Sequence, residues 1–237
     1  MTIHFFEYDE EEALNIELGM KSTLLDGAMT LNATLFQTTV EDYQVSIFDG
    51  ATAFFVQNAA EIESTGLEMD LKWAATEQLI VSLAGSWLDN KYNEFPNAPC
   101  WAVQVVADPV GCLAGRDASG ETNTFSPELA FNLNLDYAMP IGASLEARAV
   151  LNINYSDEYT VAGDLDPVIT LQDSFTKYDL RLSLGNINGT WDVALIGKNL
   201  SDEFTSGSSN DQPLVPGNGY ASTDRLRSYA VQANYRF

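Results

Sequence analysis

From Tyr229 to the end of the chain, every second residue is apolar or aromatic: Tyr229, Val231, Ala233, Tyr235 and Phe237. Between them stand Ser228, Ala230, Gln232, Asn234 and Arg236, which are small or polar. Successive side chains of a strand point to opposite faces, so this period of two predicts a strand with one apolar and one polar face. The same period recurs upstream. Leu67, Met69, Leu71 and Trp73 alternate with Glu68, Asp70 and Lys72, and Leu145, Ala147, Ala149, Leu151, Ile153 and Tyr155 alternate with Glu146, Arg148, Asn152 and Asn154. No stretch of comparable length follows a helical period. The pattern predicts an all-β, antiparallel meander of about nine strands, roughly at 13–25, 28–49, 52–75, 78–90, 124–138, 142–157, 173–186, 190–200 and 223–237.

The connections are of two kinds. Those at 26–27, 75–78, 138–142 and 187–189 are short, and Asp26-Gly27, Asp49-Gly50 and Asn188-Gly189 are dipeptides that accept the positive φ of tight hairpins. Those at 91–124, 157–173 and 201–222 are long and rich in Gly, Pro, Asn, Asp and Ser. Short turns at one end and long loops at the other are the layout of a transmembrane β-barrel. Trp73, Trp87, Tyr137, Tyr155, Trp191, Tyr235 and Phe237 fall near strand ends, where interfacial girdles would lie. A large apolar residue at the last position also suits a membrane wall better than a frayed soluble terminus.

Composition narrows the partners. No run of about 18 apolar residues exists for a membrane-spanning helix. The formal net charge of −23, from 34 acids and 11 bases, disfavours nucleic acid and recognition of anionic lipid by a basic patch. Residues 1–12 read as an acidic lead-in and 13–237 as one barrel segment. The first residues lack the basic and apolar regions of a signal peptide. Taken literally that is a cytoplasmic start; we expect instead that upstream sequence of a longer protein is missing. Cys100 and Cys112 share one long loop. By composition a disulfide and two free thiols are both open, and a position on an oxidising exterior favours the bond.

Three segments resemble TonB-dependent outer-membrane receptors. They are residues 11–27 (EEALNIELGMKSTLLDG), then Asn58-Ala59-Ala60 with Ser64-Thr65-Gly66-Leu67-Glu68-Met69-Asp70, and finally Gly197-Lys198-Asn199-Leu200-Ser201-Asp202-Glu203. The terminal Tyr235-Arg236-Phe237 resembles the family's assembly signal, read by the outer-membrane insertion machinery. One departure is Leu226-Arg227, where the family often has Pro-Arg. The resemblance implies the C-terminal part of the barrel, with an N-terminal plug, a TonB-contacting box and the remaining strands of a barrel of about twenty-two lying elsewhere. It implies energy-coupled uptake across the cell outer membrane of a scarce solute such as a siderophore, vitamin or oligosaccharide. TonB would be met only through the absent N-terminal region, and outer-membrane lipid would surround the wall.

Candidate chemistry is sparse. His4 is the only histidine, so nucleophilic catalysis has a single candidate base, and we expect neither an enzyme nor a cofactor. Gly217-Asn218-Gly219 lacks the third glycine and helix of a nucleotide fingerprint. Asp157, Glu158, Asp164, Asp166 and Asp173 read as solvated loop charge rather than a calcium site, since their spacing is not that of an EF-hand. The polar rows supply Lys72, Arg148, Asn152, Asn154 and Arg181 as candidate lumen-lining residues, with cross-strand pairing as the alternative role for most. Two rival readings are a secreted acidic β-sandwich binding sugar or protein through its loops, and a small standalone porin. Nine antiparallel strands close only through a parallel seam, so the expected form is an open, curved wall.

Overall fold

The computed structural model describes residues 8–48, 54–212 and 215–237. Nine strands carry the fold: β1 (Glu12–Leu24), β2 (Met29–Phe48), β3 (Phe54–Ala74), β4 (Leu79–Glu94), β5 (Leu129–Ile141), β6 (Leu145–Ser156), β7 (Phe175–Asn186), β8 (Trp191–Lys198) and β9 (Ser228–Tyr235). They form one sheet in sequence order, each antiparallel to the next. Among the described residues no ladder joins β1 to β9, so the sheet is an open wall.

Register explains why the alternating sequence makes a two-faced sheet. One unbroken row of directly opposed residues crosses all nine strands: Leu24, Met29, Trp73, Val81, Leu135, Leu151, Leu180, Gly197 and Tyr229. It begins at the last residue of β1 and ends at the second of β9, the stagger that a tilted barrel wall requires. Among the described residues nothing covers this face: Leu18 is 74 % exposed, Leu195 58 % and Val231 72 %. A β-sandwich would bury such a row beneath a second sheet; among the described residues none does.

Further toward the long loops the polarity reverses. There Gln37, Thr65 and Asp89 stand opposite one another on the outer face, as do Thr39, Glu63 and Lys91. The inner face carries Val40, Ile62 and Tyr92 instead. Ile62 and Tyr92 are buried, with Val45, Ala60, Phe95, Ala98, Ala118 and Leu165, in a hydrophobic cluster beneath the loops. The wall is thus apolar outside at mid-height and apolar inside above it.

Several sequence-based bounds need correction. β4 runs on to Glu94 rather than stopping near 90, because the reversal of polarity disguises a continuing alternation. β5 begins at Leu129, not 124, since Phe125 adopts φ 54° and turns the chain. β9 begins at Ser228 rather than 223. Gly219–Thr223 pairs instead with Ser206–Asp211 in a separate loop hairpin. The 91–124 loop contains a short helix, Ala102–Ala107. Asp26 and Gly27 both take positive φ, but at the 188–189 turn only Gly189 does. That turn is held by Asn186, whose Oδ1 accepts the Thr190 and Trp191 amides at 2.7 and 3.2 Å. His4 and the Asp49-Gly50 turn lie outside the described residues.

Candidate functional site: the inner face and the loop mouth

On the inner face a second registered row crosses seven strands: Lys21, Asn32, Asp70, Ala84, Asn132, Asn154 and Lys177. From Asn32 to Lys177 the row lines an open groove together with Thr34, Glu68, Ser86 and Phe175. Asn152 and Asn154, two of the candidate lumen residues, stand on this inner face and share hydrogen bonds with Asn132 at 3.0 and 2.6 Å, while Asn154 donates to Asn152 at 2.6 Å. The sequence had placed Asn132 on the polar row; what it could not show is that three amides from two strands interlock.

The other expected lumen residues are brought into pairs rather than one cluster. Arg148 grips Asp136 through two guanidinium nitrogens, Nε at 2.7 Å. Arg181 donates to Gln232 at 2.7 Å and to Asp192 at 3.1 Å. Lys72 lies near the short turns, opposite Thr30 and Ser82, and makes no hydrogen bond or ion pair among the described residues. Three ion pairs on β5–β8, Arg148–Asp136, Arg181–Asp192 and Lys198–Asp179, therefore join neighbouring strands, as cross-strand pairing predicts.

At the long-loop end the loops are tied together. Cys100 and Cys112 are disulfide-bonded, with Cα atoms 5.9 Å apart. Arg116 sits over the Trp101 ring at 4.8 Å and forms a bidentate pair with Glu121. The Phe125 amide donates to Thr160 O at 2.8 Å, which joins this loop to the next. Ser206 donates its amide to Gln172 at 2.7 Å, and Ser209 its hydroxyl to Ile169 O at 2.8 Å, which join the last two loops. Lys177 donates to Thr205 and to Asp224 (3.2 Å), while Thr205 donates to Asp224 at 2.6 Å. The Thr205 hydroxyl, and then the Lys177 ammonium, hold the Asp224 carboxyl below its ordinary range. This three-residue node spans segments far apart in sequence, and no local motif announces it.

The quoted segment 197–203 is a structural clasp. Asn199 adopts φ 49°, is buried, donates to Glu203 O at 2.8 Å and accepts the Glu203 amide at 3.0 Å. Asp179 accepts the Asn199 amide at 2.8 Å and the Lys198 ammonium at 2.7 Å. Asn58 likewise donates to Asp42 O at 2.6 Å and accepts the Asp9 amide at 2.7 Å, fastening the lead-in to the top of the wall.

Residues 6–200 match the family model described as TonB dependent receptor-like, beta-barrel. The chain belongs to this family. Over 236 aligned residues it is 26 % identical to a probable TonB-dependent siderophore receptor, PiuA, of Acinetobacter baumannii. The alignment takes in 97 % of this chain and 27 % of that receptor, so the chain spans about a quarter of its relative's length. The structure superposes on the ferric yersiniabactin uptake receptor FyuA of Yersinia pestis with a TM-score of 0.72 at 16 % identity, covering 96 % of this chain and 30 % of that one. For the crystal structure of PiuA the TM-score is 0.67 at 23 % identity, covering 94 % and 28 %. Both likenesses concern the fold, which is that of a receptor barrel wall.

Proposed function

We propose that this chain is part of the wall of an outer-membrane receptor that imports an iron–siderophore complex with energy supplied through TonB. The observation that carries the reading is the unbroken apolar row on an uncovered outer face, backed by a polar inner groove, in a chain of this family. The siderophore receptors among its relatives supply the solute class. In this reading outer-membrane lipid contacts the row, and Lys72, Arg148, Asn152, Asn154 and Arg181 face the lumen. The loops tied by Cys100–Cys112 form part of the outer mouth. Tyr235 and Phe237, on the last strand, serve the insertion machinery. Contact with TonB belongs to sequence outside this chain. Vitamin or oligosaccharide uptake finds no counterpart among the relatives named above.

The test is uptake of radioactive iron by cells that lack the gene encoding this chain, given a panel of ferric siderophores under iron starvation. Loss of uptake of at least one chelate, restored by the gene, is the expected result. Unchanged uptake across the panel, or recovery of the protein in the soluble fraction, would overturn the reading.

A further inference from the structure

Asn188 and Asn218 are each followed by glycine, and both are exposed. An asparagine in this position can close on its own backbone. The next residue's amide nitrogen attacks the side-chain carbonyl carbon, and a glycine there has no side chain to hinder the approach. The attacking nitrogen must first lose its proton. A proton held in a hydrogen bond is harder to remove, so the partner of each glycine amide decides which asparagine reacts.

At the 188–189 turn the Gly189 amide donates to Asn186 O at 2.9 Å. The Asn186 side chain holds the next two amides, those of Thr190 and Trp191. The nucleophile is engaged and the turn around it is fixed. The loop hairpin treats Asn218 differently. There the Gln212 amide donates to Asn218 O at 2.8 Å, at the end of the ladder. Bonded and non-bonded pairs alternate along antiparallel strands, so Asp211 and Gly219, the next pair, exchange no hydrogen bond. The Gly219 N–H points away from the partner strand and has no acceptor among the described residues. Glycine is nonetheless required here, because a Cβ would come within 2.2 Å of Ile169 Cγ2. The packing of the hairpin on the 157–174 loop thus keeps the reactive dipeptide in place.

We propose that Asn218 is a site of spontaneous deamidation in the folded protein, and that Asn188 is shielded from it. Water is the only co-reactant. Solvent base takes the Gly219 amide proton, the nitrogen bonds to Asn218 Cγ, and the Cγ–Nδ2 bond breaks. Nδ2 leaves as ammonia with a proton from solvent, and a succinimide ring remains. Water then opens the ring at either carbonyl carbon, giving aspartate or isoaspartate. In isoaspartate the former Asn218 backbone carbonyl, the acceptor for Gln212, becomes a free carboxylate, and the main chain gains a methylene. The hairpin should then lose its register against Ile169, which loosens the join between the last two loops as the protein ages. No solute or energy coupling enters this chemistry, so it stands apart from the import reading.

The full receptor, folded in detergent, is aged at mildly alkaline pH, and its peptides are read by mass spectrometry that distinguishes isoaspartate from aspartate. Asn218 should convert several-fold faster than Asn188, with isoaspartate among its products. In denaturant the two sites should convert at similar rates, because only the fold separates them. Asn218→Gln, whose longer side chain closes a ring far more slowly, should abolish conversion there. It should also keep the Gln212 amide protected from exchange where the aged wild type loses that protection. Equal rates at the two sites in the folded protein, faster conversion at Asn188, or no conversion at Asn218 unless the protein is unfolded would overturn the proposal. Aspartate alone, without isoaspartate, would overturn the succinimide route. Equal loss of Gln212 protection in the aged Asn218→Gln variant would overturn the loosening of the loops.

Discussion

Arg227 and Asp202 face each other across the base of the last long loop: Nη2 lies 2.9 Å from Oδ2, and the Arg227 amide donates to Oδ1 at 3.0 Å. The same guanidinium reaches Leu200 O at 3.4 Å. A loop of some two dozen residues thus leaves and rejoins the wall through one clasp, which sets where β9 starts. Leu226 beside it is half exposed, so the fixed point of this segment is its neighbour Arg227.

Asp202→Ala should free the Arg227 amide and guanidinium together. Both side chains are 42 % exposed, so the ion pair alone contributes about 1 kcal/mol or less. The larger effect should be local: faster hydrogen exchange at the first amides of β9, with exchange in β5 and β6 unchanged. Exchange that accelerates equally through the whole wall would contradict a clasp confined to the loop base.

The outer row makes a sharper prediction. Leu133 lies in the middle of β5, between Leu83 and Ile153, on the uncovered face; Asn134, its neighbour, points inward between Ser82 and Asn152. Leu133→Arg should cost about 2–4 kcal/mol in a bilayer, while Asn134→Arg stays near neutral. Refolding into vesicles, followed by electrophoretic heat-modifiability, separates the two. Equal tolerance would mean that Leu133 does not face lipid.

Much of this was legible in the chain. Alternation and turn dipeptides placed all nine strands because each lower strand segment obeys one rule, apolar on the outer face and polar on the inner face. The rule fails where the environment changes. Asn90, Lys91 and Tyr92 continue β4 with the faces exchanged, so a reading keyed to an apolar outer row ends the strand too early. β9 was expected from 223, but Thr223 has Ser206 as its ladder partner in the loop hairpin, a pairing between segments that sequence alternation does not show. Side-chain pairings were only half legible. Arg148 and Asp136 are near in sequence and on adjoining strands, whereas the Lys177, Thr205 and Asp224 node needs three distant segments folded together.

Gly66, in the quoted Ser64-Thr65-Gly66 segment, is where a side chain has no room. A Cβ there would come within 2.5 Å of the Phe36 ring and 2.8 Å of Trp87 O. Phe36 stands directly opposite Gly66 on β2, so the ring lies over the bare backbone. Gly66→Val should cost about 1–3 kcal/mol, the range for forcing extra atoms into packed space. The double change Phe36→Ala/Gly66→Val should recover part of that loss. Identical loss in the single and double variants would mean that the ring is not what excludes the side chain.

Asp224 predicts a pH dependence. Its folded-state carboxyl is held below the ordinary value by Thr205 and Lys177, so folding of the last loop gains stability while the group is ionised. That gain is full above the unfolded aspartate pKa, about 3.9, and is lost as pH falls through the lower, folded value. Protection of the Thr205 and Ser206 amides should therefore be level from pH 7 to about 4 and drop only below that. Asp224→Asn should show reduced protection at neutral pH and no such drop. A decline already present between pH 7 and 5 would point to a different group.

The disulfide closes a segment that has little else to hold it. The Ala102–Ala107 helix has six residues, no side-chain cap and no buried residue. Helices that short are unstable by themselves in water. Around it Val106 is 63 % exposed, Val110 76 % and Leu113 86 %, so packing contributes little on that side. Cys100 and Cys112 are 12 residues apart, and closing a loop of this size is worth up to roughly 3 kcal/mol by restricting the unfolded chain. Reduction should therefore open residues 100–112 to protease while the lower wall, which shares no contact with the bond, keeps its heat-modifiability. The buried neighbours Phe95, Ala98 and Ala118 lie just outside the closed segment and belong to the cluster on β2, β3 and β4. They should remain protected from exchange after reduction. Mass spectrometry of unreduced peptides checks the bond itself, and two alkylated thiols would count against it. Loss of exchange protection at Phe95 and Ala118 together with the cleavage would mean instead that the bond holds the whole loop cluster, not only its outer turn.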